Sequence, residues 1–151
     1  MSEGTSAEIK SVILHWPYGD EAEHGSDHFR VGVQVLIGEV GEDAADSFDL
    51  TVCSPRKLAE IYAQNAWDSD ETLPGGEVLP VTGLWLMKTW SEAELRKALD
   101  RLVAACSPGP DWVTVAARMG RVAPWEYDYR FDAAQNRTAG LSPLGSFWRD
   151  E

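Results

Sequence analysis

Phe29-Arg30-Val31-Gly32-Val33-Gln34-Val35-Leu36-Ile37 runs into Gly38-Glu39-Val40-Gly41-Glu42-Asp43-Ala44-Ala45-Asp46, and then into Ser47-Phe48-Asp49-Leu50-Thr51-Val52-Cys53-Ser54-Pro55-Arg56-Lys57-Leu58. Side chains two apart in a strand share a face, so Phe29, Val31, Val33, Val35 and Ile37 form one apolar row. After the acidic turn, Phe48, Leu50 and Val52 form a second row, with Asp49, Thr51 and Cys53 expected on the outer face. The pattern predicts an antiparallel hairpin of two half-buried strands. Ser54-Pro55 then signals a helix start, because a Ser oxygen accepts from an early helix N–H and proline at the first position loses no bond. Leu58, Ile61 and Tyr62 are expected on the inward face of that helix. The decisive order is therefore strand, acidic turn, strand, capped helix.

Outward from this segment the chain continues as alternating elements. Glu8 to Trp16 reads as a first strand, and Pro17 to Ser26 as an acidic loop. Asp68 to Gly76 is a polar Gly-Pro loop, followed by a buried strand expected around 81–88. Ser91 with Glu94 makes a capping box, and Trp90 with Leu95 is placed to staple it. Leu95, Ala98, Leu99, Leu102, Val103 and Cys106 repeat at helical spacing until Ser107-Pro108-Gly109-Pro110 ends the helix. Asp111 caps a third helix with Trp112, Val115, Ala116 and Met119 inward and Gly120 as its stop. Trp125, Tyr127, Tyr129 and Phe131 alternate with Glu126, Asp128 and Arg130, the pattern of a last strand. Strands and helices occur without steady βα alternation. The expected fold is a single α+β domain, a mainly antiparallel sheet with about three helices packed on one face. Residues 1–7 are expected to be disordered, 8–131 to form the domain, and 132–151 to be a tail that is mobile or docked through Leu141, Leu144, Phe147 and Trp148.

With 151 residues, 44% apolar and 25% charged, the chain has a globular composition. It is long enough to bury roughly 70% of its unfolded surface. No stretch approaches the roughly 18 apolar residues of a membrane span, and the N-terminus lacks the basic and apolar regions of a signal peptide. A cytoplasmic location is expected, with no membrane partner. Cys53 and Cys106 are read as reduced core thiols in that setting.

Net charge is −12, and residues 1–50 hold eleven acids against Lys10 and Arg30, a net −9. Such a field repels nucleic acid and steers a basic partner, with an effect that weakens as salt rises. A merely solvated acidic surface is the other reading of the same charge. The candidate partner-binding residues are Asp20, Glu21, Glu23 and Asp27 in the first loop, with Glu39, Glu42, Asp43 and Asp46 in the hairpin turn. Both segments are loops, where contacts usually sit.

Catalytic and cofactor motifs do not assemble from the sequence. His24-Gly25-Ser26-Asp27-His28 has histidines four apart, but in a glycine loop rather than on one helical face, so no metal site is expected. Gly38-Glu39-Val40-Gly41-Glu42 is too acidic for a phosphate cradle and precedes a strand, not a helix. Glu126 and Asp128 share one strand face with Arg130, a charged outer row. No cofactor is expected, and the chain reads as non-catalytic. Seven tryptophans stand at element ends, where a large apolar body and one N–H suit both core and interface.

The hairpin segment, with its Ile37-Gly38 turn, Phe48-Asp49 and Val52-Cys53-Ser54-Pro55…Leu58, resembles the bacterial immunity protein 8 family. Trp112 and the later Trp125-Glu126-Tyr127…Tyr129 are similar to the family's C-terminal signature. The resemblance spans roughly Ile9 to Phe131. It implies an intracellular antidote to a polymorphic toxin, with a cognate toxin domain, for instance a basic nuclease, as its protein partner. A non-enzymatic interaction module or homodimer without a toxin partner is the alternative.

Overall fold

The computed structural model describes residues 4–16, 21–64 and 83–127. Its elements follow one another as β1 (Ala7–His15), β2 (Arg30–Glu39), β3 (Asp46–Cys53), α1 (Pro55–Ala63), β4 (Leu84–Leu86), α2 (Glu92–Cys106) and α3 (Trp112–Gly120). They make one α+β domain around a four-stranded sheet in the order β1-β2-β3-β4. β1, β2 and β3 pair antiparallel, while β4 runs parallel to β3, so the sheet is mixed.

The alternation read from the sequence sets the core face. Val33 stands opposite Leu50 and Val35 opposite Phe48 in the β2–β3 ladder. Across β1–β2, Val12 meets Val35 and Leu14 meets Val33. These rows form one apolar cluster with Trp90, Leu95, Leu99, Val115, Met119 and Trp125, so α2 and α3 pack on this face. Each helix begins where a side chain replaces a missing backbone partner. The Ser91 Oγ accepts from the Glu94 N–H at 3.2 Å and the Asp111 carboxylate from the Thr114 N–H at 2.8 Å. Glu94 does not turn back to complete the capping box; its carboxylate pairs forward with Lys97. Trp90 and Leu95 are both buried, as a staple requires. Trp90 also meets Trp16 and Phe29 edge-on, at centroid distances of 5.3 and 5.4 Å.

Helix α1 lies apart from that cluster. Cys53, read as a core thiol although alternation places it on the outer face of β3, is fully buried. Strand alternation does turn it away from Val52, but the helix that follows folds back over that end of the opposite face. Ile61 and Cys53 form a second small cluster with Leu58 and Leu84. Tyr62, expected inward, is 43% exposed, while Leu58 and Ile61 make the contact. The Ser54 hydroxyl accepts from both the Lys57 and the Phe29 N–H, so the helix cap also pins the start of β2.

Other boundaries differ from the sequence reading. The buried strand expected at 81–88 is a three-residue edge strand, and Leu86 is 58% exposed; residues 81–82 lie outside the described residues. The last strand expected from Trp125 is a single bridge to Phe48 followed by a turn at 126–127. Its continuation through Phe131, and the tail at 132–151, lie outside the described residues. Gly120 is the final residue of α3 and Arg121 beyond it stays right-handed, so no glycine conformation stops that helix. At the other terminus, Thr5 exchanges both backbone bonds with Gly109 in the α2–α3 loop, which places ordered pairing ahead of Glu8.

The outer edge of β3 is covered by two short segments of opposite direction. Residues 124–126 bond to Ser47 and Asp49, and residues 83–87 bond to Thr51 and Cys53. They meet at Gly83, whose φ is +75° and where an added Cβ would fall 2.6 Å from the Pro124 Cδ. Both the backbone angle and the space demand glycine there.

Leu99 is 1% exposed at the centre of α2. Leu99→Ala should therefore cost about 2–5 kcal/mol, as buried leucine truncations do, measured by urea unfolding. An unchanged unfolding midpoint would contradict the assigned core face.

Candidate protein-binding site

The β2–β3 turn is built on a close backbone crossing. At Gly38 an added Cβ would lie 2.1 Å from the carbonyl oxygen of Ala44, so the returning chain needs a residue without a side chain there. Gly41, at φ +85°, supplies the turn itself. Lys10 fastens the turn from below: its Nζ donates to the carbonyls of Glu39 at 3.1 Å and Glu42 at 2.7 Å, and it pairs with Glu8. That bond, together with one from the Gly41 N–H, holds the Glu8 carboxyl below its ordinary range. Lys10 thus binds the turn's backbone and leaves the carboxylates of Glu39 and Glu42 uncompensated by it.

The base of the turn is fixed by Asp46. Its Oδ2 accepts from the Trp112 Nε1–H at 2.7 Å and from the Trp125 Nε1–H at 2.9 Å. One carboxylate oxygen therefore joins the start of β3 to the first residue of α3 and to the segment after it. Trp125 stacks on Phe48 with a centroid distance of 6.5 Å and an interplanar angle of 13°. Next to it the Glu126 Oε1 accepts from the Ser47 N–H, while the Glu126 N–H donates to the Ser47 carbonyl. Between turn and helix lies an open hollow of about 150 Å³, lined by Gly38, Glu39, Glu42, Ala44, Ala45, Asp46 and Trp112.

At the tip, Val40 is 56% exposed, with Glu42 and Asp43 exposed beside it. Glu39 and Asp46 are half-buried at the base. The other acidic segment lies at the opposite end of β2: Glu21, Glu23 and Asp27 are exposed ahead of Arg30, and Asp27 pairs with Arg56 at 2.9 Å. Asp20 lies outside the described residues. Ten residues at about 3.3 Å each separate the two groups by roughly 30 Å. The structure thus gathers Glu39, Glu42, Asp43 and Asp46 at one end and leaves Glu21, Glu23 and Asp27 at the other. The helical spacing of Trp112 places it inward without tying it to the turn; its N–H, needing an acceptor somewhere, is the signal that points there.

The uncovered face of the sheet is polar at its centre. Gln34 stands opposite Asp49 and donates to the Ser47 hydroxyl at 3.0 Å. Burial first, and the nearby Glu126 carboxylate second, push the Asp49 carboxyl above its ordinary value of 3.8, with His15 and Ser47 acting against them.

Among the described residues no three His, Cys, Asp or Glu side chains converge to hold a metal ion. Both cysteines are buried and unpaired. Burial pushes the Cys53 thiol up to about 11 despite Arg30 and Lys57, and the Cys106 thiol moves the same way. His28 is engaged with Glu60 at 3.0 Å. No described helix is long and apolar enough to cross a membrane.

The family described as Immunity protein 8 matches residues 8–129. The chain belongs to that family. As a member it is an immunity protein, and the family suggests a protein toxin as its partner. No curated protein and no solved structure matches the chain. The match covers β2, β3, β4, all three helices and all but the first residue of β1. Residues that carried the resemblance in the sequence serve as the scaffold of this immunity protein: Gly38 permits the crossing, Ser54 caps α1, and Trp112 and Trp125 hold Asp46.

Two variants test the electrostatics of this end. Asp46→Ala leaves two half-buried indole N–H groups without their acceptor and should cost about 2–4 kcal/mol, read by chemical unfolding together with a change in tryptophan emission. Asp49→Asn should act the other way. Because the folded-state pKa of Asp49 is raised, folding is favoured by its protonated form, and that advantage is lost as pH rises through the folded value. The amide should therefore raise the melting temperature at pH 7, by no more than about 1 kcal/mol of stability at this solvent-facing site. The gain should vanish below about pH 3, where both chains carry a neutral group. A gain that persists there would assign the effect to packing.

Proposed function

We propose that this immunity protein neutralises its cognate toxin domain by stoichiometric, non-catalytic binding, with the β2–β3 turn as the docking surface. The observation that carries this reading is the fixed turn. Lys10, Gly38 and Asp46 hold its backbone, while the exposed Glu42 and Asp43 carboxylates flank an exposed Val40. A surface held in place before contact loses less conformational freedom on binding. An apolar tip within charged neighbours supplies a small desolvated centre and a steering rim. If the toxin is a nuclease, its substrate face is basic, and an acidic turn competes there by offering negative charge in place of phosphate. The site of action in this reading is the cytoplasm of the producing cell. Glu21 and Glu23, about 30 Å away by strand length, serve long-range attraction rather than the same contact, while Asp27 is neutralised by Arg56.

The test has two arms. Co-expression with the toxin domain encoded beside the gene should restore growth of a host the toxin otherwise kills, and the purified pair should co-elute. Glu42→Lys combined with Asp43→Lys should then slow association several-fold and flatten its salt dependence, with little change in melting temperature. Absence of both rescue and co-elution would favour an interaction module without a toxin partner. Rescue with unchanged rate and salt slope would move the docking surface away from the turn.

A further inference from the structure

We infer that the hollow between the acidic turn and α3 is the seat of a single cationic side chain of the toxin, an arginine in preference to a lysine, inserted against Trp112. This rests on the toxin-binding reading and adds to it a specific receptor for one partner group. Three features of the hollow carry it.

Its lining combines the residue types a guanidinium suits: the acidic Glu39, Glu42 and Asp46 beside the aromatic Trp112. A planar cation gains from both at once, since it stacks on the ring while its N–H fork meets carboxylate oxygens. The Trp112 N–H is already committed to the Asp46 Oδ2, so the indole is held in place without help from a ligand. The other Asp46 oxygen, Oδ1, has no partner among the described residues.

The second feature is what the neighbouring cation does. Lys10 is spent on Glu8 and on the backbone carbonyls of Glu39 and Glu42. No ion pair is found for the side chains of Glu39, Glu42 or Asp46 among the described residues. The third is size. A hollow of about 150 Å³ matches a benzene-sized group, the scale of a guanidinium with its last methylenes. No three described carboxylate, histidine or cysteine groups converge tightly enough to hold a metal ion, so a compact divalent cation is the poorer occupant.

The experiment needs no toxin. The full chain, labelled with nitrogen-15, is titrated with N-acetyl-arginine amide, N-acetyl-lysine amide and N-acetyl-norleucine amide while the indole N–H resonances are followed. The arginine probe should move the Trp112 resonance saturably in the millimolar range, the lysine probe several-fold more weakly, and the norleucine probe not at all. Glu39→Gln with Glu42→Gln should weaken the arginine effect several-fold. Ala44→Leu, which fills the hollow from an exposed position, should abolish it at an unchanged melting temperature. No saturable shift at Trp112 would overturn the inference. So would equal effects of the arginine and lysine probes, or a response that survives Ala44→Leu in the folded protein. Growth rescue reports separately on toxin binding. Rescue by the Ala44→Leu protein would overturn the hollow as a receptor and leave the toxin-binding reading standing. Arginine binding without any rescue by the parent chain would remove the toxin while the hollow stood.

Discussion

A single carboxylate oxygen ties the acidic turn to two distant parts of this protein. Asp46 stands at the point where the acidic turn becomes β3, and its Oδ2 receives the indole N–H groups of Trp112 and Trp125 from 66 and 79 residues further on. Each indole buries an apolar body and must place one N–H; a carboxylate shared between them answers both needs with one group. Through that oxygen the sheet, the first turn of α3 and the segment covering the β3 edge adopt a common position. The turn above it inherits its shape from the same bonds.

This arrangement separates the chain's acids into different kinds. Asp111 caps a helix and Glu126 bonds the backbone of Ser47, so both are structural. Asp46 binds the indoles on one oxygen. Glu42 and Asp43 are exposed at the tip with no ion pair among the described residues, and Asp27 is matched by Arg56. A count of net charge weighs all of these equally, although only the unspent ones project a field toward a partner. The concentration of charge in residues 1–50 therefore overstates one surface, since the two loops that carry it lie at opposite ends of β2.

Much of the fold was legible in the sequence because period-two alternation and helix caps are local signals. Val31 to Ile37, Phe48 to Val52, Ser91 and Asp111 act as their spacing implies. What escaped depends on contacts between distant segments. Cys53 looks outward by alternation and is covered by a helix that reverses over it. Trp125 and Tyr127 alternate like a strand, yet only Trp125 bridges β3, opposite Phe48, and a turn follows at once. The candidate site was half legible: the acidic turn is visible in sequence, while the wall supplied by Trp112 comes from a helix tip that no local pattern connects to it.

The shared edge of β3 also has a meaning in time. Its hairpin partner arrives within a few residues, but the strands that complete it come from residues 83–87 and 124–126. Until the chain has been synthesised that far, the row of Phe48, Leu50 and Val52 has neither its helices nor its edge cover. Contacts so distant in sequence must absorb the cost of closing long loops before they stabilise anything. A chain built this way cannot finish the β3 edge before residue 126 has been made, so the turn that leads into that strand acquires its fixed shape late.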